Sequence, residues 1–198
     1  GEVERVRERY ELDGGPVLCF VGTVMPRKGV VDLVRAAGRL DGSRWEGDGG
    51  SFDLVVAGED DLDGEYVAEV ERVAREVGVA DALSMPGFVP AADLPALYAA
   101  ADVFVVPSLE EGFGMTVVEA LAAGTPVVGT RVGAIDEIVD DGVHGYVVDP
   151  GDPDGLADAV ERTLAELAGS ERVSTAARDR AAEYSWESVG RQCVSVYE

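Results

Sequence analysis

The sequence predicts an α/β fold: one parallel, doubly wound sheet with helices on both faces. Three observations carry this. Short apolar runs rich in valine recur along the chain, as in strands buried on both faces. Amphipathic stretches of helical period separate them, the alternation of a parallel sheet built from right-handed crossovers. Glycine and proline punctuate the junctions. A chain of 198 residues can bury a substantial core, and we read residues 1–198 as one domain.

Glu2 to Leu12 has a charged helix pattern with a thin stripe of Val3, Val6 and Tyr10. Pro16 to Gly22 is the first buried strand. The loop Thr23-Val24-Met25-Pro26-Arg27-Lys28-Gly29 follows, then a helix over Val30 to Leu40 with Val30, Leu33, Val34, Ala37 and Leu40 inward. Arg27 and Lys28 thus open a helix beside a strand end, where ligands gather in doubly wound sheets. Asp41 to Ser51 is rich in Gly and Asp, without period, and reads as a surface loop, ordered or disordered. Asp53 to Gly58 is the second strand and Glu59 to Glu65 an acidic loop. Its Glu-Asp-Asp-Leu-Asp run lacks the alternation of a calcium loop. Tyr66 to Val77 is an amphipathic helix, and Ala82 to Met85 a short strand. Pro86-Gly87-Phe88-Val89-Pro90 reads as a turn with Phe88 packing inward or facing a ligand, and Asp93 to Ala100 as a short helix.

The most informative stretch is Val103 to Val128. Val103 to Val106 is a buried strand that Pro107 stops. Gly112 and Gly114 let the following loop turn tightly and approach a ligand. A helix runs from Met115 to Ala123, with Gly124 as its stop and Pro126 barring its return. The amides of Gly114, Met115 and Thr116 fall in its first turn, without intrahelical acceptors, at the positive end of the dipole. That is an anion site. Glu111 before the helix and Glu119 one turn inside it frame that site. Carboxylates repel a phosphate but accept hydrogen bonds from hydroxyls beside it, and one carboxylate can accept from both hydroxyls of a vicinal diol. A ligand carrying diol, diphosphate and polyhydroxylated group in a row, a nucleotide-sugar, fits both demands.

Beyond this stretch, Pro126 to Gly129 is a strand, Ala134 to Val139 a short helix and Gly145 to Val148 the sixth strand. Asp152 with Pro153 caps a helix to Leu167. Helices over Glu171 to Tyr184 and Trp186 to Tyr197 end the chain. No internal repeat, Gly-x-Gly-x-x-Gly fingerprint or P-loop is present, since Lys28-Gly29 stands in the wrong order for the latter. Dehydrogenase and NTPase readings lose support.

Pro-Ser-Leu-Glu-Glu-Gly-Phe-Gly at 107–114, with Glu111 and Glu119 separated by seven residues, is followed by Glu-Ala-Leu-Ala-Ala-Gly-Thr-Pro-Val-Val at 119–128. This text resembles the C-terminal, donor-binding half of retaining glycosyltransferases of the GT-B fold, family four. The resemblance covers nearly the whole chain but only half of the usual two-domain enzyme. It implies a Rossmann-like domain that binds a UDP- or GDP-sugar and needs a missing N-terminal acceptor domain. Glu119 would hold the ribose hydroxyls. Glu111 and the Phe113, Gly114 and Met115 backbone would hold the sugar. Lys28, Arg27 and the amides of Met115 and Thr116 would neutralise the diphosphate, so Glu111 and Lys28 are the candidate catalytic residues. The family's phosphate loop usually reads Gly-Arg, a few residues, Lys-Gly. Gly22 and Lys28-Gly29 match, whereas Thr23 replaces the arginine, offering a hydroxyl without charge. Backbone groups at Phe88 and Val89 would read the base edge. The first helix would follow the interdomain linker, and the last would pack back across the cleft. A non-catalytic nucleotide-sugar-binding subunit and a sugar-nucleotide epimerase of the same fold remain as alternatives.

No metal motif is evident, and electrostatic stabilisation by Lys28 and helix amides can replace a divalent ion; no cofactor is called for. The 39 acidic residues against 16 basic give a formal charge of −23, spread along the chain, and Lys28 is the only lysine. Such a surface repels nucleic acid and anionic lipid and suits a salt-rich cytoplasm, where screening shortens repulsion. Any peripheral membrane contact would belong to the missing half. Gly1 in place of an initiating Met suggests a fragment, and Gly1 to Glu11 has no signal-peptide core. Cys19 and Cys193 read as buried free thiols, and His144 as a structural turn residue.

Overall fold

The structure, a computed structural model, describes residues 1–12, 15–41, 51–60 and 64–197. Most of the loop expected over 41–51, part of the acidic loop after Glu59, and the Cys193 side chain lie outside what is described. Six strands form one sheet: β1 (Val17–Val21), β2 (Asp53–Ala57), β3 (Leu83–Gly87), β4 (Val103–Val106), β5 (Val127–Thr130) and β6 (Gly145–Val148). All pairings are parallel, in the order β3-β2-β1-β4-β5-β6. The winding reverses between β1 and β4. The crevice beyond their carboxyl ends is therefore the topological switch point, where open α/β sheets bind ligands.

The helices are α1 (Glu2–Arg9), α2 (Val30–Ala37), α3 (Glu65–Val77), α4 (Leu94–Ala100), α5 (Met115–Ala123), α6 (Ile135–Ile138), α7 (Pro153–Glu166), α8 (Glu171–Glu183) and α9 (Trp186–Tyr197). Strand side chains alternate between faces. Leu18, Phe20, Leu54 and Val105 pack beneath α2, α3 and α7. Val17, Cys19, Val55 and Phe104 pack on the opposite face with α4, α5 and α8. Full burial pushes the Cys19 thiol up to about 12, so it behaves as a small apolar group. Asp93 at the head of α4 is clamped by Arg5 at 2.9 Å and Arg9 at 2.6 Å, which docks α1 on this face.

Several boundaries differ from the sequence reading. Pro86 and Gly87 belong to β3, not to a turn. β3 is an edge strand with a register irregularity against β2, and both features tolerate a proline without an N–H. α2 ends three residues early, where Gly38 packs directly against Val77 of α3. α1 ends at Arg9, with Glu11 in the left-handed region. Asp152 caps α7 by accepting from the Gly155 N–H at 2.9 Å. His144 is buried in the turn entering β6, at the amino end of the sheet. Its Nε2 lies 3.5 Å from Asp140, and burial keeps the ring neutral by lowering its pKa.

Candidate functional site

Two loops meet at the switch point. One follows β1 and contains a single 3-10 turn, Pro26–Lys28. The other follows β4 and leads into α5. The Arg27 carbonyl accepts from the Leu109 N–H at 2.8 Å and the Glu110 N–H at 3.3 Å, fastening the loops together. Two positions sharply separated in sequence thereby come into contact: Lys28 Nζ lies 2.5 Å from Glu111 Oε2. Both side chains are sheltered, at 15% and 13% exposure. The Ser108 hydroxyl donates to the same oxygen at 3.4 Å, and the Gly112 N–H to Oε1 at 3.1 Å. Burial raises the Glu111 carboxyl, but the Lys28 bond and charge, with the smaller help of Gly112 and Ser108, outweigh it and hold the group below its ordinary value. Glu111 is thus a carboxylate and Lys28 its counter-ion.

Gly114 caps α5 at φ 86°, a left-handed conformation that a side chain would strain. Gly112 has no such conformation and a Cβ there would meet open space, so its expected role in tightening the loop does not appear. The N–H groups of Met115 and Thr116 have no acceptor among the described residues. They open α5, shortly after Glu111 in the chain, and belong to the first turn, which leaves its donors without intrahelical acceptors. Glu119 sits one turn further on the exposed side of α5, and the Tyr98 hydroxyl of α4 donates to its Oε2 at 2.7 Å.

The remaining candidates occupy the same end of the sheet with different engagement. Thr23 and Arg27 are exposed in the β1 loop, and no carboxylate pairs with Arg27 among the described residues. The Gly22 N–H is already spent on the Ala57 carbonyl at 2.9 Å, so that amide belongs to the sheet. Phe113 is 43% exposed, its ring edge-on to Tyr184 at 5.6 Å. Met115 is exposed. Phe88 is 68% exposed and Val89 is the residue that packs inward, which removes the reading of Phe88 as a core side chain. Both lie beyond β3, two strands from β1.

Sequence reasoning missed Tyr98, Ser108 and Gly133. Tyr98 falls inside the expected helix over Asp93 to Ala100, where helical period registers only its ring; the available signal was that a buried tyrosine hydroxyl needs a partner. Ser108 is fully buried, its carbonyl accepting from Thr130 Oγ1 at 2.5 Å. A Cβ at Gly133 would collide with the Glu111 and Gly112 carbonyls, so the turn after β5 braces the carboxylate loop from behind.

The family profile described as Glycosyl transferases group 1 matches residues 2–180. Among curated relatives, the D-inositol 3-phosphate glycosyltransferase of Acidothermus cellulolyticus is 37% identical over 201 residues, covering 100% of this chain and 44% of its own. The O-antigen chain mannosyltransferase B of Escherichia coli is 33% identical over 198 residues, covering 98% and 48%. Among solved structures, the sucrose-phosphate synthase of Thermosynechococcus elongatus superposes with a TM-score of 0.80 at 30% identity, covering 98% of this chain and 48% of that one. The Anabaena HepE structure in complex with UDP and glucose gives 0.80 at 25% identity, covering 99% and 52%. The chain thus spans about half the length of the relatives it matches. With a Rossmann-like parallel sheet and a family match over nearly all its residues, this chain belongs to the group 1 glycosyltransferases.

Proposed function

We propose that this domain is the donor-binding half of a retaining GT-B glycosyltransferase that moves a hexose from a UDP- or GDP-sugar to an acceptor. The observation that carries the reading is the sheltered Lys28–Glu111 pair beside the free first-turn amides of α5. It sets a cation and two N–H donors where a diphosphate would leave, and a carboxylate where sugar hydroxyls would lie. Lys28, Arg27 and the amides of Met115 and Thr116 neutralise the departing diphosphate. Glu111 and the backbone of Phe113 to Met115 orient the hexose. Glu119 accepts the ribose hydroxyls, and the backbone near Phe88 and Val89 meets the base. Thr23, a hydroxyl where the resembled family's loop usually has an arginine, leaves more of the phosphate charge to Lys28 and Arg27. In the transfer, the bond from the anomeric carbon to the diphosphate oxygen breaks. The acceptor oxygen bonds to that carbon on the same face, and its proton passes to the leaving phosphate. The UDP and glucose in the related Anabaena structure support this class of donor.

On this reading the acceptor and the closing wall of the cleft belong to an N-terminal half outside this chain, against which α9, with Trp186 88% exposed, would pack; the relatives are long enough to hold one, since this chain covers 44% of one of them. This domain alone should bind donor weakly and transfer nothing. Calorimetry against a panel of nucleotide-sugars tests the reading, which fails if no UDP- or GDP-sugar binds. Efficient transfer by the 198 residues alone would refute the division of labour. The charge of −23 fits a salt-rich cytoplasm. Stability should then rise from millimolar to molar salt, and a flat melting temperature would remove that part of the proposal.

A further inference from the structure

We propose that Tyr98 is a positioning residue of the nucleotide site, its hydroxyl holding the Glu119 carboxylate in the orientation that receives the ribose. The proposal rests on the reading of Glu119 as the ribose acceptor and deepens it.

Glu119 is exposed on the surface of α5. A solvated glutamate there samples many rotamers, and a ligand that needs one of them must bear the cost of ordering it. Tyr98 removes that cost in advance because it is itself fixed. It is 2% exposed, and its ring stands edge-on to the fully buried Phe104 of β4 at 5.3 Å. Its backbone carbonyl accepts from Thr125 Oγ1 at 2.6 Å, tying the end of α4 to the turn between α5 and β5. From this anchorage the phenol donates to Glu119 Oε2 at 2.7 Å. Burial, and then the bond to Glu119, drive the Tyr98 pKa upward, so the hydroxyl stays a donor throughout the working range.

The single bond orients the carboxylate without filling it. An ionised carboxylate has about four acceptor positions. Tyr98 takes one of those on Oε2, and no donor among the described residues takes Oε1, which leaves room for two adjacent hydroxyls. Glu111 differs, since Lys28, Ser108 and Gly112 already engage both of its oxygens. The competing view is that Tyr98 only fills the core and its hydroxyl happens to reach a carboxylate.

Calorimetry of the 198-residue chain separates these views. UDP and GDP, and their 2′-deoxy counterparts, are titrated into the wild type, Tyr98→Phe, Glu119→Ala and the double variant. Tyr98→Phe keeps the buried ring and removes a hydroxyl whose partner can return to water, so folding, checked by circular dichroism, should persist. The expected result is a roughly three- to tenfold weaker ribonucleoside diphosphate, the cost of ordering one long side chain. The 2′-deoxy ligand should lose less, and Tyr98→Phe should add nothing in the Glu119→Ala background. If Glu119→Ala weakens the ribonucleotide while Tyr98→Phe does not, the positioning role is overturned and the ribose reading stands. Equal losses from Tyr98→Phe on both ligands and in both backgrounds would make Tyr98 merely structural, again overturning the proposal. If Glu119→Ala does not distinguish ribose from deoxyribose, or neither diphosphate binds the wild type, the ribose reading falls and this proposal falls with it.

Discussion

The two carboxylates of the β4–α5 corner stand eight positions apart and are held in opposite ways. Glu111 is sheltered, bonded through both oxygens and matched to a lysine. Glu119 is exposed and takes one bond, from a buried phenol on another helix. The difference shows what each can do when a ligand arrives. Glu119 can accept hydroxyls without giving anything up. Glu111 must share or exchange its partners, and any hydroxyl it accepts changes what Lys28 faces. One corner therefore combines a ready acceptor with an electrostatic unit whose two halves are coupled.

Removing the lysine should break that unit most visibly. Lys28→Ala strands a sheltered carboxylate. A fully buried pair costs about 3–5 kcal/mol when one partner is deleted, and at this loop mouth we expect roughly 2–3 kcal/mol. Urea denaturation at neutral pH measures it. A loss below about 0.5 kcal/mol would place the pair among ordinary surface ion pairs and dissolve the contrast with Glu119.

Next in size is the effect on ligand. Glu119→Gln removes a charged acceptor, and charge-assisted bonds contribute about 1.5–3 kcal/mol, so the affinity for free UDP or GDP should fall tenfold or more. Glu111→Gln should leave the free diphosphate bound as before or slightly tighter, since Lys28 is released from its partner. The sugar-bearing donor should weaken. If the proposed function holds, turnover of a longer protein carrying the acceptor half should drop as well, because the hexose would no longer be held for attack. Titration calorimetry with the diphosphate and its sugar conjugate reads both variants. Equal losses on the bare diphosphate would mean the two carboxylates share one role.

The fold was legible because its signals are local. Apolar runs such as Val103 to Val106, and the Gly124 and Pro126 punctuation, need no tertiary knowledge. The end of β3 was set too early because a proline tolerated only at a sheet edge reads, without the sheet, as a turn. At the site, sequence put Lys28 and Glu111 in different loops with different ligand groups to serve. That they touch follows from strand order, which joins β1 to β4 across 80-odd residues and cannot be seen in spacing. Tyr98 escaped for the converse reason: helical periodicity counts its ring and is blind to its hydroxyl.

The smallest expected effect, less than about 1 kcal/mol, decides what governs Glu111. Burial pushes its pKa up and Lys28 pulls it down, and the balance lies below the ordinary value of 4.5. A carboxyl whose pKa is lowered on folding stabilises the native state above the unfolded pKa. That contribution is lost as pH falls through the folded one. The stability advantage of the wild type over Glu111→Gln should therefore be full at neutral pH and shrink as pH drops below about 4.5. Comparing only this difference cancels the many other carboxylates. In the Lys28→Ala background only the Gly112 N–H and the Ser108 hydroxyl still oppose burial, so the pKa should rise and the slope should flatten relative to the background with Lys28 present. Chemical denaturation of the four proteins between pH 3 and 7 measures both slopes. An advantage that grows in acid with Lys28 present would mean burial dominates, and that the lysine does not hold Glu111 as a carboxylate.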